Sequence, residues 1–298
     1  MAKILVNDGI SAEGEGILKA AGHEVEMTKV EQDNLKNELK NYDAILVRSA
    51  TKVRKEHIES APDLKLIGRG GVGLDNIDVD VAKSKGIAVI NTPAASSDSV
   101  AELALAHMFA LARWLPNANV TMRKGEWNKK QYKGVELAGK TLLVVGFGRI
   151  GQSLARKCAA LGMHIIGYDV IDVKTDYEFT KDLDSVLPKA DFVSLHVPKL
   201  GKPLVDSAFF GKMKDGAYLI NCARGGVIDE AALVEALNSG KLAGTGLDVF
   251  EKEPSDNMAL INHPKVSVTP HIGAQTSEAQ DRVGKELAQL VVEFFAGK

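Results

Sequence analysis

Residues 141–151 read TLLVVGFGRIG, and residues 164–169 read HIIGYD. The short, valine-rich run before Gly146 is typical of a strand buried on both faces. Apolar residues at helical spacing follow the glycines, and Gly162 ends them as a helix stop. A second apolar run then ends at Asp169. This stretch therefore predicts a strand, a glycine turn, a helix, a second strand and an acid.

Each glycine of the turn has its own physical role. Gly146 permits a tight turn, Gly148 lets the backbone approach a pyrophosphate, and Gly151 lets the helix pack closely on the strand. The start of the helix adds N–H groups and a partial positive charge, which suit phosphates. Asp169 follows after about 20 residues, where a carboxylate can accept hydrogen bonds from ribose hydroxyls. The pattern predicts a dinucleotide site, although the same glycines can form an ordinary turn.

Asp169 also favours one dinucleotide over the other. NADP carries a phosphate where NAD carries a 2′-hydroxyl. Two like unit charges about 4 Å apart repel by roughly 1–4 kcal/mol, depending on the effective dielectric. Only the neutral Val170 and Ile171 follow, with no arginine to hold a phosphate. We therefore expect NAD as the cofactor.

The composition excludes several classes of protein. The 298 residues are 45% hydrophobic with a formal net charge of −2, so we expect neither a nucleic-acid partner nor a membrane partner. Cys158 and Cys222 lie in segments expected to be buried, which fits reduced thiols. No spacing suggests a metal site. With no long apolar run and no signal-peptide anatomy at the start, we expect a cytoplasmic protein.

About 140 residues precede the glycine turn, enough for a separate domain. Strands and helices alternate there and again after the turn, which indicates parallel sheets in both parts. We predict the α/β class with two doubly wound parallel-sheet domains. A Rossmann-type NAD domain, residues 96–275, is inserted in a flavodoxin-like substrate domain, residues 1–95 and 276–298, with a cleft between them. The predicted strands are 3–6, 24–27, 43–47, 64–67, 87–90, 141–145, 165–168, 192–196, 217–221, 244–250 and 266–269.

A long helix is predicted over residues 96–113, and the last helix over residues 277–296. In the first of these, His107 shares an apolar face with Leu103 and Leu111 but carries no functional signal of its own. Trp127, beyond this helix, is expected to pack against the inter-domain linker.

Three side chains follow predicted strands of the nucleotide domain and could perform chemistry. The guanidinium of Arg224 suits a carboxylate, because its fork donates two parallel hydrogen bonds. His271 is suited to passing a proton near neutral pH, and a nearby Glu253 would orient it and raise its pKa. Taken singly, each has an ordinary alternative: a surface charge, a solvated loop acid and a satisfied loop histidine.

With these motifs the sequence resembles the D-isomer-specific 2-hydroxyacid dehydrogenases, over nearly its whole length. The resemblance implies that Arg224 binds substrate, His271 carries the proton and Glu253 is its carboxylate partner. Glu251 competes for that last role, but the family's acid directly precedes the proline, which selects Glu253. Besides the glycine turn, the resemblance is densest in residues 47–53, 68–78, 91–93, 221–229 and 248–254.

The resemblance also implies two sets of binding residues. Valine stands at 72 and 197, where relatives often have threonine, so only backbone or packing contacts are expected there. The cofactor set is Gly146, Gly148, Arg149, Ile150, Gly151, Asp169, Val72, Val197, Cys222, Ala223, Asp248, Gly273 and Ala274. The substrate set is Arg48, Ser49, Arg69, Gly70, Gly71 and Val72, in which backbone amides of the glycine turn would hold an anion.

Within the family, the resemblance favours NAD-dependent oxidation of 3-phosphoglycerate at the entry to serine synthesis. The alternatives are an enzyme for glyoxylate, hydroxypyruvate or another unphosphorylated acid, and an NAD-responsive corepressor-like binding protein. The resemblance implies a homodimer, with the helix from Ser96 and the loop beyond Lys124 near the interface. The chain stops soon after its last helix, so we expect no C-terminal serine-binding regulatory domain.

Overall fold

The computed structural model describes residues 1–297, and the chain divides into two compact units, Met1–Ser96 with Ala274–Lys298 and Ser97–Gly273. Within the described residues the strands are β1 (Lys3–Val6), β2 (Glu24–Glu26), β3 (Ala44–Val47), β4 (Leu66–Arg69), β5 (Ala88–Asn91), β6 (Thr141–Val145), β7 (His164–Tyr168), β8 (Glu178–Thr180), β9 (Phe192–Leu195), β10 (Ala217–Asn221), β11 (Leu242–Leu247) and β12 (Val266–Val268). The helices are α1 (Ala12–Ala20), α2 (Gln32–Glu38), α3 (Lys55–Glu59), α4 (Val79–Ser84), α5 (Ser97–Ala112), α6 (Leu115–Arg123), α7 (Arg149–Ala160), α8 (Ser207–Lys212), α9 (Glu230–Asn238), α10 (Met258–Ile261) and α11 (Ser277–Phe295).

The first unit is built on a parallel sheet with the strand order β2-β1-β3-β4-β5. This is the flavodoxin-like order, in which the chain reverses direction across the sheet between β1 and β3. Apolar clusters cover both faces. The last helix, α11, packs on α1 at Gly14, where an added β-carbon would lie 2.7 Å from the carbonyl oxygen of Gly284.

The second unit contains a seven-stranded parallel sheet with the order β12-β11-β10-β9-β6-β7-β8. The chain runs outward from β6 to β8 and then returns to β9 on the other side of β6. Such a reversal marks the point where doubly wound sheets bind ligands, beyond the carboxyl ends of the strands. Helices α5 and α7 cover one face, and Met108 of α5 and Leu154 of α7 are fully buried. The predicted α/β class with two doubly wound parallel sheets is confirmed.

Some elements were not recognised in the sequence. Strand β8 has only three residues and helix α10 only four, too short for a periodic pattern to emerge. Helix α9 does carry a start signal, since the side chain of Asp229 caps it by accepting from the Ala232 amide. The expected packing of Trp127 is wrong, because 78% of this residue is exposed.

Candidate active site

The glycine turn between β6 and α7 has the geometry that a pyrophosphate requires. Gly146 has φ 92°, a left-handed conformation that favours glycine, and an added β-carbon there would lie 2.6 Å from the His196 carbonyl oxygen. Gly151 packs against the carbonyl oxygen of Gly146. Gly148 differs from both, because a β-carbon added there would meet no atom within 4 Å. The first and third glycines are therefore needed by the protein's own packing, and the second leaves room for a ligand.

The start of α7 and Asp169 complete this dinucleotide site. No side chain caps α7 at Gly148, so its first N–H groups are available to an anion. Asp169 directly follows β7 and accepts a 2.9 Å hydrogen bond from the Phe147 amide, which ties the acid to the turn. Val197 packs beside the turn, 3.1 Å from the β-carbon position of Gly146. These features fit an adenine dinucleotide with an unphosphorylated ribose.

The loops after β10 and β11 meet closely at the carboxyl edge of the same sheet. Asn221, the last residue of β10, accepts from the Ala223 amide at 3.0 Å and donates to the Arg224 carbonyl at 3.1 Å. The next residue, Gly225, approaches the Phe250 carbonyl so closely that no β-carbon could fit. The turn that carries Arg224 is therefore held rigidly beside the loop that leads to Glu253.

His271 and Glu253 form a hydrogen-bonded pair. Nδ1 of His271 lies 2.8 Å from Oε2 of Glu253, whose other oxygen accepts from the Phe250 amide at 3.2 Å. An ionised carboxylate only accepts hydrogen bonds, so Nδ1 carries the hydrogen and Nε2 is left with a lone pair. Glu251, the competing acid, instead exchanges backbone-to-carboxylate hydrogen bonds with Glu230. The geometry selects Glu253 as the partner.

The charge of Arg224 acts on both members of the pair. The hydrogen bond to Glu253 raises the pKa of His271 above its ordinary value, against burial and the charge of Arg224, which lower it. Burial alone would raise the pKa of Glu253, but His271 and Arg224 together hold that pKa below its usual range. The side chains remain 41% and 38% exposed, so the pair is accessible to a ligand. A base, its orienting acid and a guanidinium thus share one neighbourhood.

The turn that carries His271 is wrapped around the carboxylate of Asp248. Asp248 is 1% exposed and accepts hydrogen bonds of 2.8 Å from the amides of Ile272 and Gly273. His271 itself has φ 53°, a left-handed conformation that costs a non-glycine residue about 1–3 kcal/mol. Such strain persists only where surrounding contacts enforce it. Asp248, predicted to contact the cofactor, is therefore also the anchor of the His271 turn.

A cavity of about 540 Å³ opens beside the pair. His271 and Glu253 lie on its wall, and most of the other lining side chains are apolar: Phe250, Pro254, Ile261, Val268 and Pro270. An apolar wall lowers the local dielectric and strengthens the interaction between the two charged groups.

In the first unit, the loops after β1 and β3 are joined through Asp8. Its carboxylate accepts from the Arg48 amide at 2.7 Å and from the Thr51 hydroxyl at 2.6 Å. Arg48 is partly buried, and burial lowers the pKa of its guanidinium while the charge of Asp8 opposes this. Arg48 and Gly70 line a cavity of about 240 Å³ together with residues of α11. Ser49 lies exposed at the same edge.

Two backbone amides of the glycine turn in the first unit already have hydrogen-bond partners within that unit. The Gly70 amide donates to the Val47 carbonyl at 2.8 Å, and the Gly71 amide donates to the Thr92 hydroxyl at 2.8 Å. These two amides are used within the unit and do not supply the expected anion donors. The guanidinium of Arg69 lies over Gly71, 2.9 Å from where its β-carbon would be. Arg69 is therefore the cationic group at this turn, and an anion contact of the Val72 amide stays a prediction.

The structure thus brings together two groups of predicted residues, one in each unit. In the second unit, the group is formed by the glycine turn with Arg149, Ile150, Asp169 and Val197, together with the loops that carry Cys222, Ala223, Arg224, Asp248, Glu253, His271 and Gly273. Val72 and Ala274 belong to the first unit, and their cofactor contacts stay predictions. The structure adds His107, which carries no functional signal of its own in the sequence and is hydrogen-bonded to Thr269 beside the His271 turn.

A seven-stranded doubly wound sheet with this glycine turn defines a dinucleotide-binding protein. Residues 105–273 match the NAD-binding domain of the D-isomer specific 2-hydroxyacid dehydrogenases. The chain belongs to this family, and the match confirms the expectation of NAD. No group of three or more His, Cys, Asp and Glu side chains suited to a metal ion occurs in residues 1–297. Over the same residues, no helix is both long and apolar enough to span a bilayer.

Individual relatives differ in the substrate that they are named for. The chain is 44% identical over its full length to D-3-phosphoglycerate dehydrogenase of Methanocaldococcus jannaschii, but it spans only 58% of that protein. It is 47% identical to hydroxypyruvate reductase of Thermotoga maritima, with 97% of each chain covered. The solved D-lactate dehydrogenase of Aquifex aeolicus, in complex with NAD and lactic acid, superposes with a TM-score of 0.85 at 33% identity, covering 99% of this chain and 96% of its own.

Proposed function

We propose that the protein catalyses NAD-dependent oxidation of a D-2-hydroxy acid, with 3-phosphoglycerate as its substrate and 3-phosphohydroxypyruvate as its product. The observation that carries the proposal is the His271–Glu253 hydrogen bond of 2.8 Å, with Arg224 close enough to alter the pKa of both residues. A base, an orienting acid and a carboxylate-binding guanidinium are what oxidation of a 2-hydroxy acid requires.

Each of the three proposed catalytic residues has a defined task in this reaction. Arg224 binds the substrate carboxylate through its fork, which orients C2. Nε2 of His271 accepts the hydroxyl proton as the C2 hydrogen leaves, and returns it in the reverse direction. Glu253 stabilises the resulting imidazolium and keeps the ring oriented. NAD bound at the glycine turn supplies the hydride acceptor. Orientation of reacting groups can remove roughly 7–11 kcal/mol of a barrier.

The phosphate of the substrate is assigned to Arg48 and Arg69. Both are arginines at the carboxyl edge of the first sheet, and Arg48 lines the 240 Å³ cavity there. Guanidinium groups donate two parallel, charge-assisted hydrogen bonds to phosphate oxygens. The similarity to a phosphoglycerate dehydrogenase over the full length of this chain supports the same assignment. Serine synthesis is the proposed pathway on this basis.

A second candidate is the reduction of hydroxypyruvate or glyoxylate. It is favoured by the match to the Thermotoga maritima hydroxypyruvate reductase, which covers 97% of both chains. The two candidates share every catalytic residue and differ only in the need for a phosphate-binding cation.

One experiment decides between them. Purified protein is assayed by NADH absorbance with 3-phosphoglycerate, D-glycerate, D-lactate and the corresponding 2-oxo acids, each with NAD and with NADP. We expect the highest kcat/KM with the phosphorylated pair and NAD. Preference for hydroxypyruvate over its phosphorylated form would instead support the second candidate. Absence of turnover with every acid would leave an NAD-responsive binding protein.

We further propose that the protein is a cytoplasmic homodimer, with α5, α6 and the segment after Lys124 at the interface. The support is a group of exposed apolar side chains on α6 and just beyond it, since such groups are often covered by a partner. They are Leu115 (55%), Val120 (52%), Met122 (51%) and Trp127 (78%). Light scattering of the double variant Val120→Asp/Met122→Asp should show a monomer where the unmodified protein is a dimer.

The support for the cytoplasmic part of this proposal is that the free thiols of Cys158 and Cys222 are buried, as expected in a reducing compartment.

A further inference from the structure

His107 lies in the middle of α5, where this helix crosses the carboxyl ends of the last strands. It is 3% exposed, and its β-carbon lies 2.6 Å from where a β-carbon on Gly246 would be. Its Nδ1 is 2.9 Å from the Ser267 hydroxyl, and its Nε2 is 3.1 Å from the Thr269 hydroxyl. The ring therefore has a partner at both nitrogens, and both partners belong to β12 and the residue that follows it.

Thr269 connects this histidine to the turn that carries His271. The Thr269 hydroxyl lies 2.6 Å from Oδ1 of Asp248, the carboxylate around which the turn is wrapped. Helix α5 holds the same turn at its other end, because the Ser99 hydroxyl donates to the Gly273 carbonyl at 2.6 Å. Both ends of the turn are thus tied to one helix.

The hydrogens of this chain can be assigned from the chemistry of its members. A carboxylate only accepts, so Thr269 must donate its hydroxyl hydrogen to Asp248. The Thr269 oxygen then accepts from Nε2–H of His107. Burial lowers the pKa of His107 and keeps the ring neutral, so Nδ1 is an acceptor and Ser267 donates to it. The three hydrogen bonds therefore run in one direction: Ser267 donates to His107, His107 donates to Thr269, and Thr269 donates to Asp248.

We propose that His107 is a positioning residue for the reaction: through Thr269 it holds Asp248 and the strained turn, and so keeps His271 against Glu253. The inference rests on the proposed function, in which His271 transfers the proton. Without the Nε2–H donor, the Thr269 hydroxyl can rotate its hydrogen away from Asp248. The turn then relaxes from the left-handed conformation at His271, and the imidazole loses its fixed orientation.

Two conservative substitutions distinguish the contact at Nε2 of His107 from the contact at Nδ1. In His107→Gln the side-chain amide can reach the position of Nε2 and still donate to Thr269. In His107→Asn the amide reaches only the position of Nδ1, so the bond to Ser267 survives and the bond to Thr269 is lost. Met108→Leu, a fully buried change on the same helix, is the matched control for disturbance of the core.

The variants are compared with the unmodified protein by steady-state kinetics on whichever acid that protein oxidises best. For His107→Asn we expect kcat to fall roughly tenfold to a hundredfold, as for loss of an orienting contact, with a smaller change in KM. His107→Gln and Met108→Leu should stay near the unmodified value. Equal losses in the Gln and Asn variants, or no loss in either, would overturn the proposal.

A second readout needs no turnover. The charged groups that act on His271 are Glu253, Asp248 and Arg224, and the two carboxylates raise its pKa. NMR titration of the histidine Cε1–H signals, assigned with His271→Asn, should show a lower pKa of His271 in His107→Asn and an unchanged one in His107→Gln. If the role of His107 were purely structural, His107→Asn would lower the melting temperature and leave the titration of His271 unchanged. If no acid is oxidised, the proposed function fails, and the NMR comparison still decides the role of His107.

Discussion

The carbonyl oxygen of Gly146 occupies the space that a β-carbon on Gly151 would need. The first residues of α7 can therefore lie against the end of β6 only if residue 151 is glycine. Gly148, between them, meets no such obstacle. Gly146 and Gly151 are thus required by the fold, and Gly148 is required by the ligand.

Gly151→Ala should accordingly lower the stability of the protein, and Gly148→Ala should lower its affinity for NADH. Gly151→Ala forces backbone apart and should destabilise the protein by about 1–3 kcal/mol, seen as a lower melting temperature. Gly148→Ala, at φ −75°, should leave the melting temperature unchanged or slightly higher but weaken NADH binding, because its methyl group enters the space for the pyrophosphate. Calorimetric titration with NADH measures the second effect. Tight NADH binding by Gly148→Ala would contradict the placement of the pyrophosphate.

His271→Ala should lower kcat by at least about 100-fold, because it removes the only proposed acceptor of the substrate proton. NADH affinity should be unchanged, since the glycine turn and Asp169 are untouched. Stopped-flow kinetics and NADH fluorescence titration measure the two quantities separately. His164→Asn, an exposed histidine at the start of β7, is the control and should behave as the unmodified protein. Near-normal turnover of His271→Ala removes this residue from the mechanism.

Glu253→Gln should shift the pH dependence of oxidation to lower pH. The hydrogen bond to Glu253 raises the pKa of His271, so the neutral form that accepts a proton accumulates only as the pH rises through that raised value. Without the carboxylate the pKa of His271 falls, so the neutral form persists to lower pH. The reverse reaction needs protonated His271, so its alkaline limb should move in the same direction. Profiles of kcat/KM that do not move would show that Glu253 does not tune His271.

Asp169→Asn should relax the preference for NAD. The amide oxygen can still accept from the Phe147 amide, while the Val170 amide loses its acceptor and the negative charge is removed. Removing a repulsion of roughly 1–4 kcal/mol should raise the ratio of kcat/KM for NADP to that for NAD at least about fivefold. Assays with both cofactors at fixed substrate measure this ratio. If it does not change, Asp169 does not face the adenine ribose.

The double variant Arg48→Gln/Arg69→Gln tests the assignment of the phosphate. Charge-assisted hydrogen bonds contribute about 1.5–3 kcal/mol each, so KM for 3-phosphoglycerate should rise at least tenfold. D-Glycerate, which lacks the phosphate, is the matched control substrate and should be affected little. An equal KM for 3-phosphoglycerate before and after the change would exclude these arginines from phosphate binding.

The sequence by itself determined the local parts of this protein. The strand predicted at residues 3–6 is β1, and the one at 217–221 is β10, because an apolar run bounded by turn residues encodes a buried strand wherever it lies. The glycine turn and Asp169 were recognised for the same reason, since their spacing is fixed along the chain. The sequence also placed Arg224, Glu253 and His271 after strands, and thus at one edge of a sheet.

Only the tertiary structure decided which groups meet. It paired His271 with Glu253 and engaged Glu251 with Glu230, a choice that local spacing does not encode and that the sequence offered only through the family resemblance. It also brought His107 to Thr269, 162 positions away in the chain. Periodicity and turn chemistry report on neighbours a few residues apart, whereas a hydrogen bond between distant side chains depends on how whole elements pack.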